Sequence, residues 1–335
     1  MEEFWRDRNV FVTGATGMIG SFLVHELLEQ GANVTALVQD QDMRSDLYRK
    51  GDIEKVSAVN GSLEDFATLE RAINLHEVHT VLHLGAQTIV TVAYRYPLAT
   101  LEANVRGTYN LLEACRMHAG RGVGVVVASS DKAYGEQEVL PYTEDMTLAG
   151  SFPYEVSKSC ADMLAQSYHR SYGLPVAIAR CGNVYGGNDL NFSRIIPGTI
   201  KLLLKGESPI IRSDGTFVRD YVYVKDIVSA YMSLAQRVAS EGVNGEAFNF
   251  SAEKPLSVIE IVATIQQIMG LEHLAPVVLD DVTGEIRSQY LDAGKAARVL
   301  GWKPGYSLEE GLRETVAWYE DYFRIAKPGA RSASD

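Results

Sequence analysis

The chain has 335 residues and a formal net charge of −12 at pH 7. This acidic balance excludes a general nucleic-acid-binding protein, because such a protein needs a basic face for the phosphate backbone. Hydrophobic residues make up 46% of the chain and charged residues 22%, which is ordinary for a folded protein. At roughly 150 residues per domain, the length predicts two domains.

No apolar run approaches the roughly 20 residues that a helix needs to span a bilayer. Residues 1–9 are charged and lack the apolar centre of a signal peptide. The three cysteines, Cys115, Cys160 and Cys181, have neither the number nor the spacing of a disulfide framework or a zinc site. We therefore expect a cytoplasmic protein with no metal, no membrane partner and no nucleic-acid partner.

Short apolar runs alternate with helical stretches along the first half of the chain. The first run, residues 10–13, is followed closely by a predicted helix over 19–29. Further strands are predicted at 34–38, 56–59, 80–84, 123–129 and 176–180. Apolar strands separated by helices indicate a parallel sheet covered on both faces, so the predicted fold is a Rossmann-type doubly wound α/β fold.

The pattern becomes irregular in the second half of the chain. We expect residues 1–182 and about 223–250 to form the sheet domain, because the later segment returns to complete the sheet. Residues 183–222 and about 251–325 then form a smaller α+β domain for the substrate. The segment 326–335 lacks apolar anchors and is predicted to be a mobile tail.

A glycine-rich loop joins the first strand to the first helix. Its glycines let the backbone approach a pyrophosphate closely, and the helix N-terminus offers free N–H groups to the anion. Strand, turn and helix in this order predict a dinucleotide site. The residues predicted to bind the cofactor here are Gly14, Thr16, Gly17, Met18, Ile19 and Gly20.

The type of dinucleotide is predicted from the end of the second strand. Asp40 follows the glycine loop at the spacing of the acid that binds the adenosine ribose hydroxyls of NAD. Gln39 is neutral, whereas an NADP site favours a basic residue at this point. NAD is therefore the predicted cofactor, and the nearby Arg44 keeps NADP as the alternative.

Tyr154 and Lys158 form a YxxxK pattern at the start of a predicted helix. Four residues make about one helical turn, so the two side chains share one helix face. An ammonium near a phenol favours the phenolate, and we expect the pKa of Tyr154 to fall toward neutrality. Such a tyrosine takes the proton of a sugar hydroxyl while hydride leaves the carbon, and Lys158 can also bond the nicotinamide ribose.

Ser130, Asp131 and Lys132 follow the predicted strand 123–129, where ligands bind in open parallel sheets. Ser130 can hydrogen-bond the reacting hydroxyl. Alcohol oxidation or epimerisation needs only Ser130, Tyr154 and Lys158. The additional carboxyl and amine favour a second proton-transfer reaction, such as elimination of water.

Several segments carry a resemblance to a known family. They are TGATGMIG (13–20), HLGAQ (83–87), NVRGTYNLLEAC (104–115), SSDKAYG (129–135), YEVSK (154–158), RCGNVYG (180–186) and VRDYVYVKD (218–226). On these segments, over about residues 9–322, the chain resembles the extended short-chain dehydrogenase/reductase family and its NAD-dependent nucleotide-sugar epimerases and dehydratases. The Asp-Lys pair is most similar to the CDP-glucose 4,6-dehydratase branch.

The resemblance implies a reaction in three steps. Tyr154 takes the O4 proton while C4 passes hydride to NAD. Lys132 takes the C5 proton, which is acidic beside the new ketone, and Asp131 protonates the leaving C6 hydroxyl. Hydride then returns to C6, so the cofactor is regenerated in each turnover.

The resemblance also assigns roles to residues that the pattern alone does not explain. Cofactor-binding roles fall on Ser62, Leu63, Leu84, Gly85, Ala86, Gln87, Asn104, Tyr154 and Lys158. Substrate-binding roles fall on Gln87, Ser130, Asn183, Asn191, Arg194, Arg219 and Arg287. Asn183, Arg219 and Arg287 are the implied contacts to the diphosphate of a nucleotide sugar.

A homodimer is implied as well, because the family pairs matching helices of two subunits into a four-helix bundle. In this chain the matching helices are 98–118 and 154–172. Both carry apolar side chains that could instead pack on their own sheet.

Three alternatives to the dehydratase remain open at this stage. The first is a 4-epimerase on the same scaffold, which needs only Ser130, Tyr154 and Lys158. The second is a reductase that consumes external NADPH, and the third is a non-catalytic dinucleotide-binding protein. The intact YxxxK pattern is evidence against the third.

Overall fold

The computed structural model describes residues 2–281 and 286–325, so the predicted mobile tail at 326–335 lies outside the described residues. The strands are β1 Asn9–Thr13, β2 Asn33–Val38, β3 Ser57–Asn60, β4 Thr80–His83, β5 Gly124–Ala128, β6 Val176–Cys181, β7 Asn183–Tyr185, β8 Ile210–Ile211, β9 Val218–Tyr223, β10 Ala247–Phe250, β11 Pro255–Ser257, β12 Val277–Val278 and β13 Ser288–Gln289. The α-helices are α1 Glu2–Trp5, α2 Met18–Glu29, α3 Asp46–Arg49, α4 Phe66–Leu75, α5 Val90–Arg95, α6 Pro97–Leu101, α7 Gly107–Met117, α8 Pro153–Tyr172, α9 Ile195–Leu203, α10 Val224–Arg237, α11 Val258–Met269 and α12 Leu308–Ile325.

Seven parallel strands form the central sheet in the order β10-β6-β5-β4-β1-β2-β3. The strand order reverses between β1 and β4, and ligands bind at such a switch point in open parallel sheets. The prediction of a doubly wound Rossmann-type fold is confirmed. The six predicted strands agree with the observed ones to within one residue at either end.

Both faces of the sheet are covered by apolar helix faces, which is why its strands are almost continuously hydrophobic. On one face, Leu23 and Leu27 of α2 and Leu234 of α10 are buried in a single cluster. On the other face, Leu69 of α4 and Leu112 of α7 are buried in a second cluster. This packing fixes the edge of the sheet at which the strands end.

The predicted helix over 98–118 is interrupted. A π-helical turn, Glu102–Arg106, separates α6 from α7. Such π turns occur frequently at functional sites because they redirect side chains that a regular helix would point elsewhere. Here the turn carries Asn104 into the interior, where it is 2% exposed.

A smaller sheet is built around β9. Strand β11 pairs with it antiparallel, while β13 and β7 pair with it parallel. Buried side chains of α9, α11 and α12 form a third apolar cluster with β9. Strand β10 instead pairs with β6, so the chain returns to the large sheet after β9.

None of the helices within residues 2–281 and 286–325 combines the length and apolar composition needed to cross a bilayer. Over the same residues, no group of three or more histidine, cysteine, aspartate or glutamate side chains could hold a metal ion.

Candidate active site

The glycine loop after β1 has a backbone packed too closely for larger residues. Gly14 has a φ of 72°, and a Cβ built on it would lie 2.7 Å from the backbone nitrogen of Gly85. A Cβ on Gly20 would lie 2.0 Å from the carbonyl oxygen of Gly14, which accepts a hydrogen bond from the Gly17 N–H at 3.0 Å. Both positions therefore require glycine.

The N-terminus of α2 is open to an anionic ligand. Gly17 is its N-cap and has no side chain to cap the first turn, which also lacks acidic residues. The first N–H groups of the helix are therefore available to an anion, at the positive end of the helix dipole. Thr16, Met18 and Ile19 border this turn and are half-buried.

Asp40 lies two residues beyond β2 and is exposed. The basic residue near it is already paired, because Arg44 Nε donates to Asp42 Oδ1 at 2.9 Å and its NH2 group donates to Oδ2 at 3.0 Å. The hydrogen bond from Arg44 lowers the pKa of Asp42. The Arg44 guanidinium near Asp40 is thus held by Asp42.

The segments after β3 and β4 meet at the mouth of the glycine loop. A Cβ on Gly85 would lie 3.0 Å from both Leu63 Cδ1 and Thr13 Oγ1. A Cβ on Gly107 would lie 2.6 Å from Leu63 Cβ. The structure thus brings the segments 62–63 and 84–87 together beside β1. The resemblance assigned both segments to the cofactor.

A buried imidazole fixes this arrangement, and sequence reasoning did not single it out. Thr108 donates to the Asn104 carbonyl at 2.6 Å, so its oxygen accepts from His83 Nε2 at 3.0 Å. His83 Nδ1 then accepts from the Thr13 hydroxyl at 2.8 Å, and Thr13 accepts from the Gly85 N–H at 3.0 Å. Burial lowers the pKa of His83 to about 3, so the ring is neutral.

Asn104 holds the loop after β4 rather than facing open space. Its Oδ1 accepts from the Gln87 N–H at 2.7 Å, and its Nδ2 donates to the Gln87 carbonyl at 3.0 Å and to Ser157 Oγ at 2.9 Å. The Gln87 side chain closes a ring with the backbone of Ile89. A direct cofactor contact was expected for Asn104, but its amide is already engaged by the loop and by α8.

Asn188, which lies shortly after β7, connects that part of the chain to the glycine loop. Sequence reasoning missed this residue. The residue is 3% exposed and has a φ of 62°, a left-handed conformation that asparagine tolerates. Its Nδ2 donates to Ser21 Oγ at 3.2 Å and to the Gly17 carbonyl at 3.4 Å. Its Oδ1 accepts from the Asp46 N–H at 3.0 Å.

Tyr154 and Lys158 are both buried near the start of α8, but they are not arranged as expected. Burial raises the pKa of Tyr154 to about 12, against a lowering effect of the Arg194 charge and of a hydrogen bond with Ser130. Lys158 Nζ donates to the Ala128 carbonyl at 2.9 Å, and burial lowers the pKa of Lys158 to about 8. The expected fall in the pKa of Tyr154 is therefore wrong, because desolvation outweighs the nearby cations and Lys158 is bonded to backbone.

The residues after β5 form a compact acid–base cluster. Asp131 is 3% exposed, and its Oδ1 accepts from Ser130 Oγ at 2.9 Å. Ser130 Oγ also accepts from the Lys132 N–H at 3.2 Å. Gln289 of β13 bonds to this cluster, since it donates to the Asp131 carbonyl and accepts from Lys132 Nζ. No sequence pattern indicated that last contact.

The structure brings Arg219 and Arg287 together around one aromatic ring. Their guanidinium carbons lie 5.7 Å and 5.8 Å from the centroid of Phe217. Arg219 is buried and donates to the Arg287 carbonyl at 3.1 Å, whereas the Arg287 side chain is 78% exposed. Two cations side by side can bind a diphosphate.

The remaining predicted substrate residues lie between β7 and α9. Asn183 belongs to β7, where it is paired with Tyr221 of β9. Asn191 accepts from the Ser193 N–H at 3.2 Å, so its side-chain oxygen stabilises the turn before α9. Arg194 is paired with an acid of the same loop at 3.1 Å and lies within electrostatic reach of Tyr154.

These segments carry the pattern of a known protein family. The family described as GDP-mannose 4,6 dehydratase matches residues 11–315, which include the glycine loop, both catalytic candidates on α8 and the basic pair on the small sheet. The chain belongs to this family.

Individual relatives agree with the assignment. CDP-glucose 4,6-dehydratase of Salmonella typhimurium strain LT2 is 33% identical over 341 residues, covering 96% of this chain and 93% of that enzyme. The structure of dTDP-glucose 4,6-dehydratase from Streptomyces venezuelae, with NAD and TYD bound, is 30% identical with a TM-score of 0.83, covering 93% and 97% of the chains. UDP-glucose 4-epimerase from Thermotoga maritima, with UDP-glucose, is 31% identical with a TM-score of 0.85, covering 94% and 99%.

Proposed function

We propose that the chain is an NAD-dependent nucleotide-sugar 4,6-dehydratase, similar to CDP-glucose 4,6-dehydratase, that makes a 4-keto-6-deoxy sugar nucleotide. The observation that carries the proposal is the acid–base cluster around the buried Asp131, beside the candidate catalytic tyrosine. Asp131 is bonded to Ser130, whose side chain also bonds Tyr154, and Lys132 follows directly. Elimination of water uses this additional carboxyl and amine, whereas alcohol oxidation alone does not need them.

The glycine loop fits the pyrophosphate of a dinucleotide. A Cβ at Gly14 or Gly20 would overlap backbone atoms, and the first N–H groups of α2 are free. Asp40 would bond the adenosine ribose hydroxyls, and the pairing of Arg44 with Asp42 favours NAD over NADP. When bound, NAD would accept the hydride from C4 and later return it to C6.

The walls of the cofactor site are residues of the two segments that meet beside β1. Those residues are Ser62, Leu63, Leu84, Gly85, Ala86 and Gln87. Asn104 supports them by holding the backbone of Gln87. Lys158 would bond the nicotinamide ribose.

Tyr154 accepts the O4 proton as C4 is oxidised, and Ser130 holds the O4 hydroxyl within reach. The phenol is buried, which raises its pKa to about 12, so positive charge nearby promotes the transfer. Arg194 supplies such charge to the phenol.

Elimination follows once C4 is a ketone, because the ketone makes the C5 proton acidic. Lys132 takes this proton, and the Asp131 carboxyl gives a proton to the C6 oxygen, so that the C6–O bond breaks and water leaves. A C5–C6 double bond forms. The hydride that left C4 ends on C6, and the proton held by Lys132 returns to C5. C4 is then oxidised, C6 is reduced and the reaction is redox-neutral overall.

The nucleotide sugar binds across the second part of the chain. We propose that residues 1–182 and about 223–250 form the NAD-binding domain, and that 183–222 and about 251–325 form the nucleotide-sugar domain. The residues proposed to bind the substrate are Gln87, Ser130, Asn183, Asn191, Arg194, Arg219 and Arg287. The adjoining cations of Arg219 and Arg287 suit the diphosphate.

The second proposed partner is another copy of the chain, bound through 98–118 and 154–172. Support comes from large apolar side chains that these helices and their neighbours expose. They are Tyr94, Tyr96, Leu98, Leu101, Tyr109, Met117, Phe152, Met163 and Tyr172. Light scattering is expected to give the mass of a dimer, and a monomer at micromolar concentration would contradict this part of the proposal.

A cytoplasmic location is proposed on the state of the cysteines. Cys115, Cys160 and Cys181 are all unpaired, and burial raises the pKa of Cys115 and Cys181. Free thiols are usual in a reducing compartment.

Product mass tests the function directly. The purified protein is incubated separately with the CDP, UDP, dTDP and GDP forms of glucose, and the sugar nucleotides are analysed by mass spectrometry. We expect a product lighter by one water molecule, with CDP-glucose as the preferred substrate. A product of unchanged mass from every substrate would contradict the dehydratase.

A 4-epimerase is the second candidate, and the similarity to UDP-glucose 4-epimerase of Thermotoga maritima favours it. Epimerisation uses Ser130, Tyr154 and Lys158 without the acid–base pair. Its product has the substrate's mass but inverted stereochemistry at C4, so chromatography of the released sugar separates the two functions.

A further inference from the structure

Gln289 reaches the acid–base cluster from a distant part of the chain. It lies on β13, where its backbone is paired with Arg219, and it is fully buried. Its Nε2 donates to the Asp131 carbonyl at 3.0 Å, and its Oε1 accepts from Lys132 Nζ. A single amide thus touches both residues to which the elimination step is assigned.

The two contacts determine the direction of the amide. A backbone carbonyl can only accept, so the NH2 group of Gln289 must face Asp131. The amide oxygen then faces Lys132, whose amine can donate to it in either charge state. In the neutral state, that bond fixes one N–H and thereby limits where the nitrogen lone pair can point.

We propose that Gln289 is a positioning residue for the elimination step, because its amide ties the Lys132 amine to the Asp131 backbone and so orients the base. The inference rests on the proposed dehydratase function and deepens it. Neutrality is part of the role, since a carboxylate at this point would favour the ammonium form of Lys132, which cannot accept a proton.

The charges around this contact are unevenly distributed. Asp131 lies next to Lys132 in the chain, and Asp220 of β9 is within electrostatic range of Asp131. Arg219 of β9 is the cation beside Gln289 in the same sheet. A new negative charge at position 289 would add to two existing carboxyls, so its effect on the amine should be large enough to measure.

Two variants test the proposal in the full-length enzyme loaded with NAD. Gln289→Leu removes both hydrogen bonds, while Gln289→Glu keeps an oxygen near Lys132 and adds a charge. For each variant, kcat and KM for water loss are measured, and C4 oxidation is followed separately by the near-ultraviolet absorbance of bound NADH. The matched control is Gln266→Leu, another buried glutamine, which bonds the Leu274 carbonyl of the small domain.

In Gln289→Leu we expect kcat for water loss to fall about 10- to 100-fold with KM little changed, because a misoriented base slows only the step it performs. Bound NADH should accumulate, since C4 oxidation continues. In Gln289→Glu the acidic limb of the kcat profile should move up by about one to three pH units. Gln266→Leu should be less stable but should keep the wild-type ratio between the rates of C4 oxidation and water loss.

The proposal is overturned if Gln289→Leu slows oxidation and elimination equally, or if its kcat matches that of Gln266→Leu. An unshifted pH profile in Gln289→Glu would also contradict it, and this variant stays informative if the leucine variant fails to fold. Absence of water loss in the wild-type enzyme would instead defeat the proposed function itself, so the two failures are distinguishable.

Discussion

Asp131→Asn separates the dehydratase from the epimerase most directly. Asparagine retains Oδ1, so it can still accept the hydrogen bond that Ser130 Oγ donates at 2.9 Å. What it loses is the ionisable proton that the C6 hydroxyl needs in order to leave. Water loss should therefore slow severely, whereas C4 oxidation through Tyr154 should continue.

The size of the effect follows from the role. A positioned general acid contributes typically about 10²- to 10⁴-fold, which corresponds to roughly 2.7–5.4 kcal/mol of barrier. Folding should not suffer, because asparagine has nearly the size and shape of aspartate and keeps the bond from Ser130.

The assay is a single turnover with NAD-loaded enzyme and CDP-glucose. Bound NADH reports C4 oxidation, and mass spectrometry of the quenched mixture reports water loss. Asp145→Asn serves as the control, since that carboxylate is exposed and accepts a local bond from Thr143. Water loss by Asp131→Asn at a rate close to wild type would refute the role of Asp131 as the acid.

Three further predictions concern the scaffold. Gly20→Ala places a Cβ 2.0 Å from a backbone oxygen, so the purified protein should retain less NAD and melt at a lower temperature, whereas Gly120→Ala, which meets nothing within 4 Å, should behave as wild type. Asn188→Gly keeps the left-handed backbone but removes the amide, so it should lower the free energy of unfolding by about 1–3 kcal/mol. Calorimetry should show weaker NAD binding, and an unchanged affinity for NAD would contradict the link between Asn188 and the glycine loop. Burial lowers the pKa of His83 to about 3, so between about pH 6.5 and 3 the unfolded chain binds a proton that the native ring does not, and stability should fall as pH falls by about 1.4 kcal/mol per unit. Unfolding free energies of His83→Asn, measured with urea at several pH values, should fall less steeply with pH than those of the wild type. An identical dependence on pH would refute the assignment.

Much of the fold could be predicted because its signals are local. The strands of the large sheet have apolar centres and the glycine loop directly follows β1, so hydrophobic pattern and turn chemistry define them. The position of Ser130, Asp131 and Lys132 at the ligand-binding edge of the sheet could also be predicted. They directly follow β5, and the carboxyl ends of parallel strands share one edge.

The electrostatics of the site could not be predicted in the same way. One turn of helix relates Tyr154 to Lys158, yet burial raises the pKa of the phenol and the amine bonds the Ala128 carbonyl. Sequence spacing gives the relative direction of two side chains but not their depth or their competing partners.

The sequence by itself determined the elements, the dinucleotide loop and the identity of the groups able to move protons, because each depends on neighbours within a few residues. The tertiary structure alone decided how those groups are held. Gln289 bonds Lys132 across 157 positions, and Asn188 bonds Gly17 across 171. Such hydrogen bonds form only once packed sheets bring distant segments together, and no local pattern of residues encodes them.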